Sequence, residues 1–256
     1  MSDMSGRVAL ITGASSGIGR ATAEAFVQRG ARVVLAARRE DELAELAGEI
    51  AAGGGEASFI VTDVSVAADV ERMVAHTIDT FGRLDYAVNN AGIEGELASI
   101  TALPEEEFDR VIAINLKGTF LCLQHESRAM LAAGRAGAIV NVGSVNSFLG
   151  FAHGAGYVAS KHGLIGLTTS ASAELAPQGI RVNLICPGFV ATPMNQRLRG
   201  LIGDAIYDDV MVPQVHLRRM ARPEEMARSI LFLCSDDASY VTGTTLTPDG
   251  GFTLTV

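Results

Sequence analysis

The chain has 256 residues, 48% of them hydrophobic and 19% charged, with a mean hydropathy of +0.27, which supplies a large buried core and excludes intrinsic disorder. A net charge of −9 and a pI near 5.0 argue against nucleic acid and anionic membranes as partners, because phosphate backbones demand a positive footprint. Trp is absent and aromatics make up 5%, so no platform of stacked rings for sugars or single strands is expected.

Short β-branched runs alternate with amphipathic stretches along the chain. Arg7–Thr12 reads as a buried strand and Gly17–Arg29 as a helix. Arg32–Ala36 is a second strand, followed by a helix over Glu40–Ala52 that Gly53-Gly54-Gly55 stops. Phe59–Thr62 is a third strand, Ala67–Phe81 a helix and Leu84–Val88 a fourth strand. A long helical region covers Pro104–Ala133, with a break expected near Asn115. Ala138–Val142, a helix over Gly156–Ala176, and Arg181–Ile185 follow. Pro187–Arg222 shows no regular period; Pro223–Leu233 is helical again and Thr244–Thr247 a last strand. Strands separated by helices make βαβ units. The expectation is one doubly wound α/β domain over residues 1–256, a single parallel sheet with helices on both faces and a substrate loop at about 188–222.

Cys122, Cys186 and Cys234 are scattered and form no C-x-x-C pair, so neither a disulfide framework nor a zinc site is expected. No His pairs at ligand spacing, and no metal is expected; His153 is the one His that falls between candidate site residues, where it would border the substrate. Met1–Gly6 lacks the pattern of a signal peptide, and no apolar run reaches the roughly 20 residues of a membrane helix. A cytoplasmic protein is the expectation.

The chemistry concentrates just after strands. The first strand runs into Thr12-Gly13-Ala14-Ser15-Ser16-Gly17-Ile18-Gly19 and then a helix, so bare backbone N–H groups can meet a pyrophosphate at the helix N-terminus. Tyr157 and Lys161 lie at i and i+4 on one helix and share a face. Lys occurs only at Lys117 and Lys161; an ammonium beside a phenol favours the phenolate and lowers its pKa. Ser144, after the fifth strand, is either a donor to a carbonyl gaining negative charge or the cap of a turn. At the end of the second strand Ala37 stands where a carboxylate would select NAD, and Arg38 follows; Arg38 and Arg39 are either a phosphate grip or solvated residues before a helix.

The T-G-x-x-x-G-x-G loop, Asn89-Asn90-Ala91-Gly92, Asn115, Ser144, Tyr157-Val158-Ala159-Ser160-Lys161, Pro187-Gly188 and Asp249-Gly250-Gly251 together resemble the classical short-chain dehydrogenases and reductases along essentially the whole chain. The resemblance implies a Rossmann-like fold and hydride transfer between a nicotinamide cofactor and an alcohol/carbonyl pair. It implies Tyr157 as acid/base, Ser144 as polariser, Lys161 as ribose holder and tuner of Tyr157, and Asn115 in a water-linked proton path. Cofactor contacts would come from Gly13, Ser15, Ser16, Gly17, Ile18, Gly19, Arg38, Asp63, Val64, Asn90, Ala91, Gly92, Tyr157, Lys161, Pro187, Gly188, Val190 and Thr192, with the last also readable as a helix cap. NADP is expected over NAD. The small-molecule substrate would be apolar, walled by Phe148, Leu149, Phe151, Met194, Leu198, Leu201, Ile206 and Met211, and the assembly a homotetramer. A catalytically retired nucleotide-binding regulator is the alternative, but it has no physical need for all of Asn115, Ser144, Tyr157 and Lys161.

Overall fold

The computed structural model of the chain describes residues 3–254; Met1 and Ser2 of the Met1–Gly6 segment and residues 255–256 lie outside the described residues. Its elements in order are β1 (Val8–Thr12), α1 (Gly17–Val27), β2 (Arg32–Ala37), α2 (Glu40–Ala52), β3 (Ala57–Val61), α3 (Ala67–Phe81) and β4 (Tyr86–Asn89). They continue with α4 (Glu105–Ile112), α5 (Gly118–Ala132), β5 (Gly137–Val142), α6 (Ala155–Leu175), β6 (Ile180–Ile185), α7 (Pro193–Ile202), α8 (Asp204–Ile206), α9 (Pro223–Cys234) and β7 (Thr245–Leu246).

The strands form one parallel sheet in the order β3-β2-β1-β4-β5-β6-β7. Alternate residues of each strand point to opposite faces. Ala9, Ile11, Val33, Leu35, Val88 and Val140 pack under α1, α2 and α9, whereas Leu10, Val34, Ala36, Ala87 and Ile139 pack under α3, α5 and α6. Both faces are therefore covered, which is why the strands read as continuous apolar runs. The order reverses between β1 and β4, so a crevice opens above their carboxyl ends.

Two expectations are corrected. The region near Asn115 does not break: α4 passes into α5 through a single π-helical turn, Ala113–Lys117, which absorbs an extra residue per turn while the helix continues. The stretch 187–222 is not irregular. It folds into α7, α8, a π-helical turn over Tyr207–Met211 and a short 3-10 turn over Val212–Gln214, elements too short to leave a readable period.

One buried acid sits between sheet and helix. Glu126 of α5 is fully buried; its Oε2 accepts from Asn89 Nδ2 at 3.0 Å, and Asn89 Nδ2 also donates to Asn141 Oδ1 at 3.1 Å. Among the described residues, Glu126 Oε1 and Asn89 Oδ1 find no hydrogen-bond partner. Burial pushes the Glu126 carboxyl up to about 8, only partly offset by the Asn89 bond. The folded state thus keeps a proton that the unfolded chain sheds near the ordinary carboxyl value of 4.5. Its stability contribution is complete below that value and is lost as pH rises toward about 8. Glu126→Gln should flatten this decline and exceed the wild type by on the order of 1–2 kcal/mol at mildly alkaline pH, read by denaturant unfolding across pH; parallel curves would show Glu126 to be ionised in the fold.

Candidate active site

The crevice has a volume of about 590 Å³ and is lined by residues drawn from the loops after β1 to β6 and from α7. Its floor is a knot of hydrogen bonds between the loops after β1 and β4. Asn90 Nδ2 donates to Thr12 O at 3.1 Å and Gly13 O at 3.2 Å, while the Asn90 and Ala91 N–H groups donate to Thr12 Oγ1 at 3.0 and 3.1 Å. Gly13 and Gly17 hold positive φ of 65° and 57°. A side chain at Gly13 would come within 2.8 Å of Asn90 Nδ2, and one at Gly17 within 3.1 Å of Thr192 Cγ2. The loop therefore stays bare, and Ser16 makes no side-chain cap to α1, whose first N–H groups are left for a ligand. That cradle fits the pyrophosphate of a dinucleotide.

Ser15, Ser16, Gly17, Ile18, Arg38, Asp63, Val64, Asn90, Ala91, Gly92, Pro187, Gly188, Val190 and Thr192 all line the crevice with Gly13. Gly19 does not; it packs beneath the loop, where a Cβ would lie 2.3 Å from Gly13 O. Asp63 Oδ1 accepts from Ser65 N at 2.9 Å, so the carboxylate also shapes its own turn. Thr192 is both a lining residue and the N-cap of α7, accepting from Asn195 N at 3.3 Å. The serine likewise does two things. Ser144 lines the crevice and caps the short 3-10 turn Val145–Ser147 by accepting from Asn146 N at 3.1 Å.

At the far end stand Ser144, Tyr157 and Lys161. Lys161 is buried and donates from Nζ to Val142 O at 2.7 Å, with Nζ 5.6 Å from the centre of the Tyr157 ring. Burial pulls its ammonium down to about 8. Burial also pushes the Tyr157 phenol up to about 12, against a lowering from the Ser144 hydroxyl and a further rise from the Glu94 charge. With Lys161 Nζ bonded to a backbone carbonyl rather than to the phenol, desolvation of Tyr157 outweighs the lowering expected of a nearby ammonium.

Asn115 does not line the crevice. It sits in the π-helical turn, donating to Ile93 O at 2.9 Å and Ser160 Oγ at 3.1 Å and accepting from Ile93 N at 2.9 Å. It thereby ties the loop after β4 to α6, one residue from Lys161. A side chain on Gly92 would approach Asn115 Oδ1 to 3.3 Å and Lys161 Nζ to 3.7 Å, so glycine lets that loop lie against both.

The substrate end differs from expectation. Phe151, Met194 and Leu198 line it, joined by Ile93, Leu97, Val145 and Phe189, whereas Leu149 and Met211 do not. Phe148, Leu201 and Ile206 are exposed instead. Once 187–222 folds into helices, its apolar residues divide among several helix faces rather than sharing one wall. His153 is exposed and also stands outside the lining, held at a φ of 66° in the turn before α6.

Sequence reasoning missed three features. Arg39 Nη2 donates to Ser15 Oγ and Ser16 Oγ, each at 2.9 Å, reaching from the start of α2 into the glycine loop. Glu94 and Arg197 face each other across the crevice. Tyr207, fully buried, donates to Asn195 Oδ1 at 2.6 Å beneath α7. Each is a contact between distant segments with no local spacing to betray it.

Known proteins agree with this architecture. The family model described as enoyl-(acyl carrier protein) reductase matches residues 13–253. A 2,5-dichloro-2,5-cyclohexadiene-1,4-diol dehydrogenase of Sphingobium indicum is 41% identical over 99% of both chains. A cyclohexanol dehydrogenase of Acinetobacter sp. is 40% identical over 96% of this chain and 95% of the relative. Among solved structures, levodione reductase superposes with a TM-score of 0.93 at 37% identity, covering 97% of this chain and 98% of that one. An actinorhodin polyketide ketoreductase variant solved with NADPH gives a TM-score of 0.92 at 36% identity, covering 98% of each chain. With its parallel sheet, bare glycine loop and the serine, tyrosine and lysine gathered at one end of the crevice, the chain belongs to the short-chain dehydrogenase/reductase family of nicotinamide-dependent oxidoreductases.

Proposed function

We propose that the protein reduces a carbonyl, or oxidises the matching alcohol, with Tyr157 as the acid/base and NADPH/NADP as the preferred cofactor pair. The observation that carries this reading is the convergence of Ser144, Tyr157 and buried Lys161 at the end of the crevice opposite the glycine loop. When bound, the nicotinamide supplies or accepts the hydride. A phenol held near 12 carries its proton at neutral pH, the state needed to protonate an oxygen gaining negative charge. Ser144 adds a hydroxyl donor to that oxygen. Lys161, anchored on Val142 O, holds positive charge beside the phenol ring and stabilises the phenolate left behind. Asn115 positions this group by bracing Ile93 and Ser160. Residues 1–256 act as one cofactor-binding and catalytic unit, with 188–222 as the substrate cover.

The substrate end mixes Ile93, Leu97, Val145, Phe151, Phe189, Met194 and Leu198 with the polar Asn146 and Asn195 and with Glu94 and Arg197, whose charges pair with each other. It suits an uncharged alcohol or ketone of small to medium size, a range in keeping with relatives named for cyclohexanol and a cyclohexadienediol. For the cofactor, Ala37 presents no carboxylate at the end of β2, and Arg38 is exposed there beside Arg39, which already bridges Ser15 and Ser16. Of the three acids in the first turn of α2, Glu40, Asp41 and Glu42, the last is engaged by Arg39 at 2.8 Å. Two guanidinium groups suit a 2′-phosphate. A cytoplasmic homotetramer completes the proposal: Phe108, Phe120 and Leu131 of α4 and α5 are exposed, more apolar surface than a lone chain benefits from leaving open.

Tyr157→Phe should keep cofactor binding and lose turnover by about 10²–10⁴-fold, measured by nicotinamide absorbance on a panel of ketones and alcohols; retained turnover would refute the acid/base role. Arg38→Asp should raise KM for NADPH by about tenfold or more while changing that for NADH little, the scale of one lost charge-assisted contact. An unchanged NADPH-to-NADH ratio would make Arg38 a surface residue. Light scattering should give four times the 26.8 kDa chain mass, and a monomer would refute the assembly.

A further inference from the structure

The two walls at the substrate end of the crevice come from distant parts of the chain. One is the loop after β4, carrying Glu94; the other is α7, carrying Arg197. Arg197 Nε donates to Glu94 Oε1 at 3.1 Å and Nη2 to Glu94 Oε2 at 3.1 Å. Both residues line the same crevice as Ser144 and Tyr157. Paired bonds from a planar guanidinium to a carboxylate fix orientation as well as distance. Ion pairs at a surface usually contribute little, with bidentate geometry the exception. Here the Glu94 side chain is 20% exposed and that of Arg197 60%, so the bidentate geometry and the 103 residues between the partners, rather than burial, set the pair apart.

The base of α7 is secured separately. Tyr207 donates to Asn195 Oδ1, Asn195 N–H donates to Thr192 Oγ1, and Asn195 Nδ2 donates to Val190 O at 3.0 Å. The first turn of the helix is thus pinned to the loop after β6 and to Tyr207, while Arg197 reaches from it to the opposite wall.

We propose that Arg197 and Glu94 form a clasp that closes α7 over the substrate end, with Arg197 as a positioning residue that holds the helix against the opposite wall. The proposal rests on the oxidoreductase reading for its effect on turnover, but not for the clasp itself. Substrate enters by parting the pair, and re-forming it encloses the reacting carbon. An ionised group on a substrate would compete for one partner and hold the clasp open, so the clasp selects uncharged alcohols and ketones.

Two measurements on the full chain test this. Backbone hydrogen exchange, followed by mass spectrometry without substrate, should quicken by about two- to fivefold across 193–203 in Arg197→Gln and in Glu94→Gln, the factor a favourable pair of this kind commands. The charge-swapped double variant, Glu94→Arg with Arg197→Glu, should restore slow exchange. Unchanged exchange in both single variants overturns the clasp. With an uncharged alcohol as substrate, KM should rise by about two- to fivefold in each single variant while kcat changes little, the split expected when closure over the substrate is weakened and the reacting groups are untouched. A KM unchanged in both single variants overturns the part of the clasp in turnover. A wild type that turns over no alcohol or ketone would refute the oxidoreductase reading, while the exchange experiment would still decide the clasp.

Discussion

The amide of Asn90 holds the crevice together. By donating to the carbonyls of Thr12 and Gly13, it bolts the loop after β4 to the loop after β1 at the point where the strand order reverses. The bond sets the steric limits around it: a side chain on Gly19 would meet Asn90 Nδ2 at 2.6 Å, and one on Gly13 at 2.8 Å. Two glycines are therefore required by a neighbouring asparagine as much as by a ligand. Only a loop so constrained can present backbone N–H groups at the start of α1 without side chains in the way.

From that floor the site extends in two directions with opposite physics. Toward β2 the crevice is open and rich in arginine, and exposed Arg38 and Arg39 keep their charge in contact with water. Toward β5 and β6 it is enclosed, and desolvation governs. The same burial raises the Tyr157 phenol and lowers the Lys161 ammonium, driving two groups of nearly equal ordinary proton affinity apart, each toward its neutral form. Lys161 remains anchored because its Nζ has the Val142 carbonyl as partner. The π-helical turn at Asn115 belongs to this enclosed half: the widened turn lets one amide bond both Ile93 and Ser160, bracing the β4 loop against α6.

The cover over the substrate end is built differently again. It hangs from buried Tyr207, whose ring meets Phe189 edge-on at 5.8 Å, with Phe189 in turn edge-on to Phe252 at 5.0 Å. The C-terminal segment thus supports the cover from below, and Asp249 lies so close to Gly188 that a Cβ there would meet its Cα at 2.8 Å. The motif closing the chain is a structural prop for the loop that carries Val190 and Thr192.

The alternation of apolar runs and amphipathic stretches determined the parallel sheet and its covered faces, because period-two and period-3.6 patterns are local properties of the chain. The glycine loop, the Tyr157–Lys161 spacing and the arginines after β2 were legible for the same reason: each lies within one element or one turn. Elements shorter than a few turns, as in 187–222, carry too few periods to read, and the widened turn at Asn115 resembled a break. Only the tertiary structure decided that Arg39 reaches Ser15 and Ser16, that Arg197 meets Glu94, that Glu126 is buried against Asn89, and which apolar residues line the crevice. These depend on how separate elements are stacked on the sheet, and on the desolvation that stacking imposes, neither of which any stretch of sequence contains by itself.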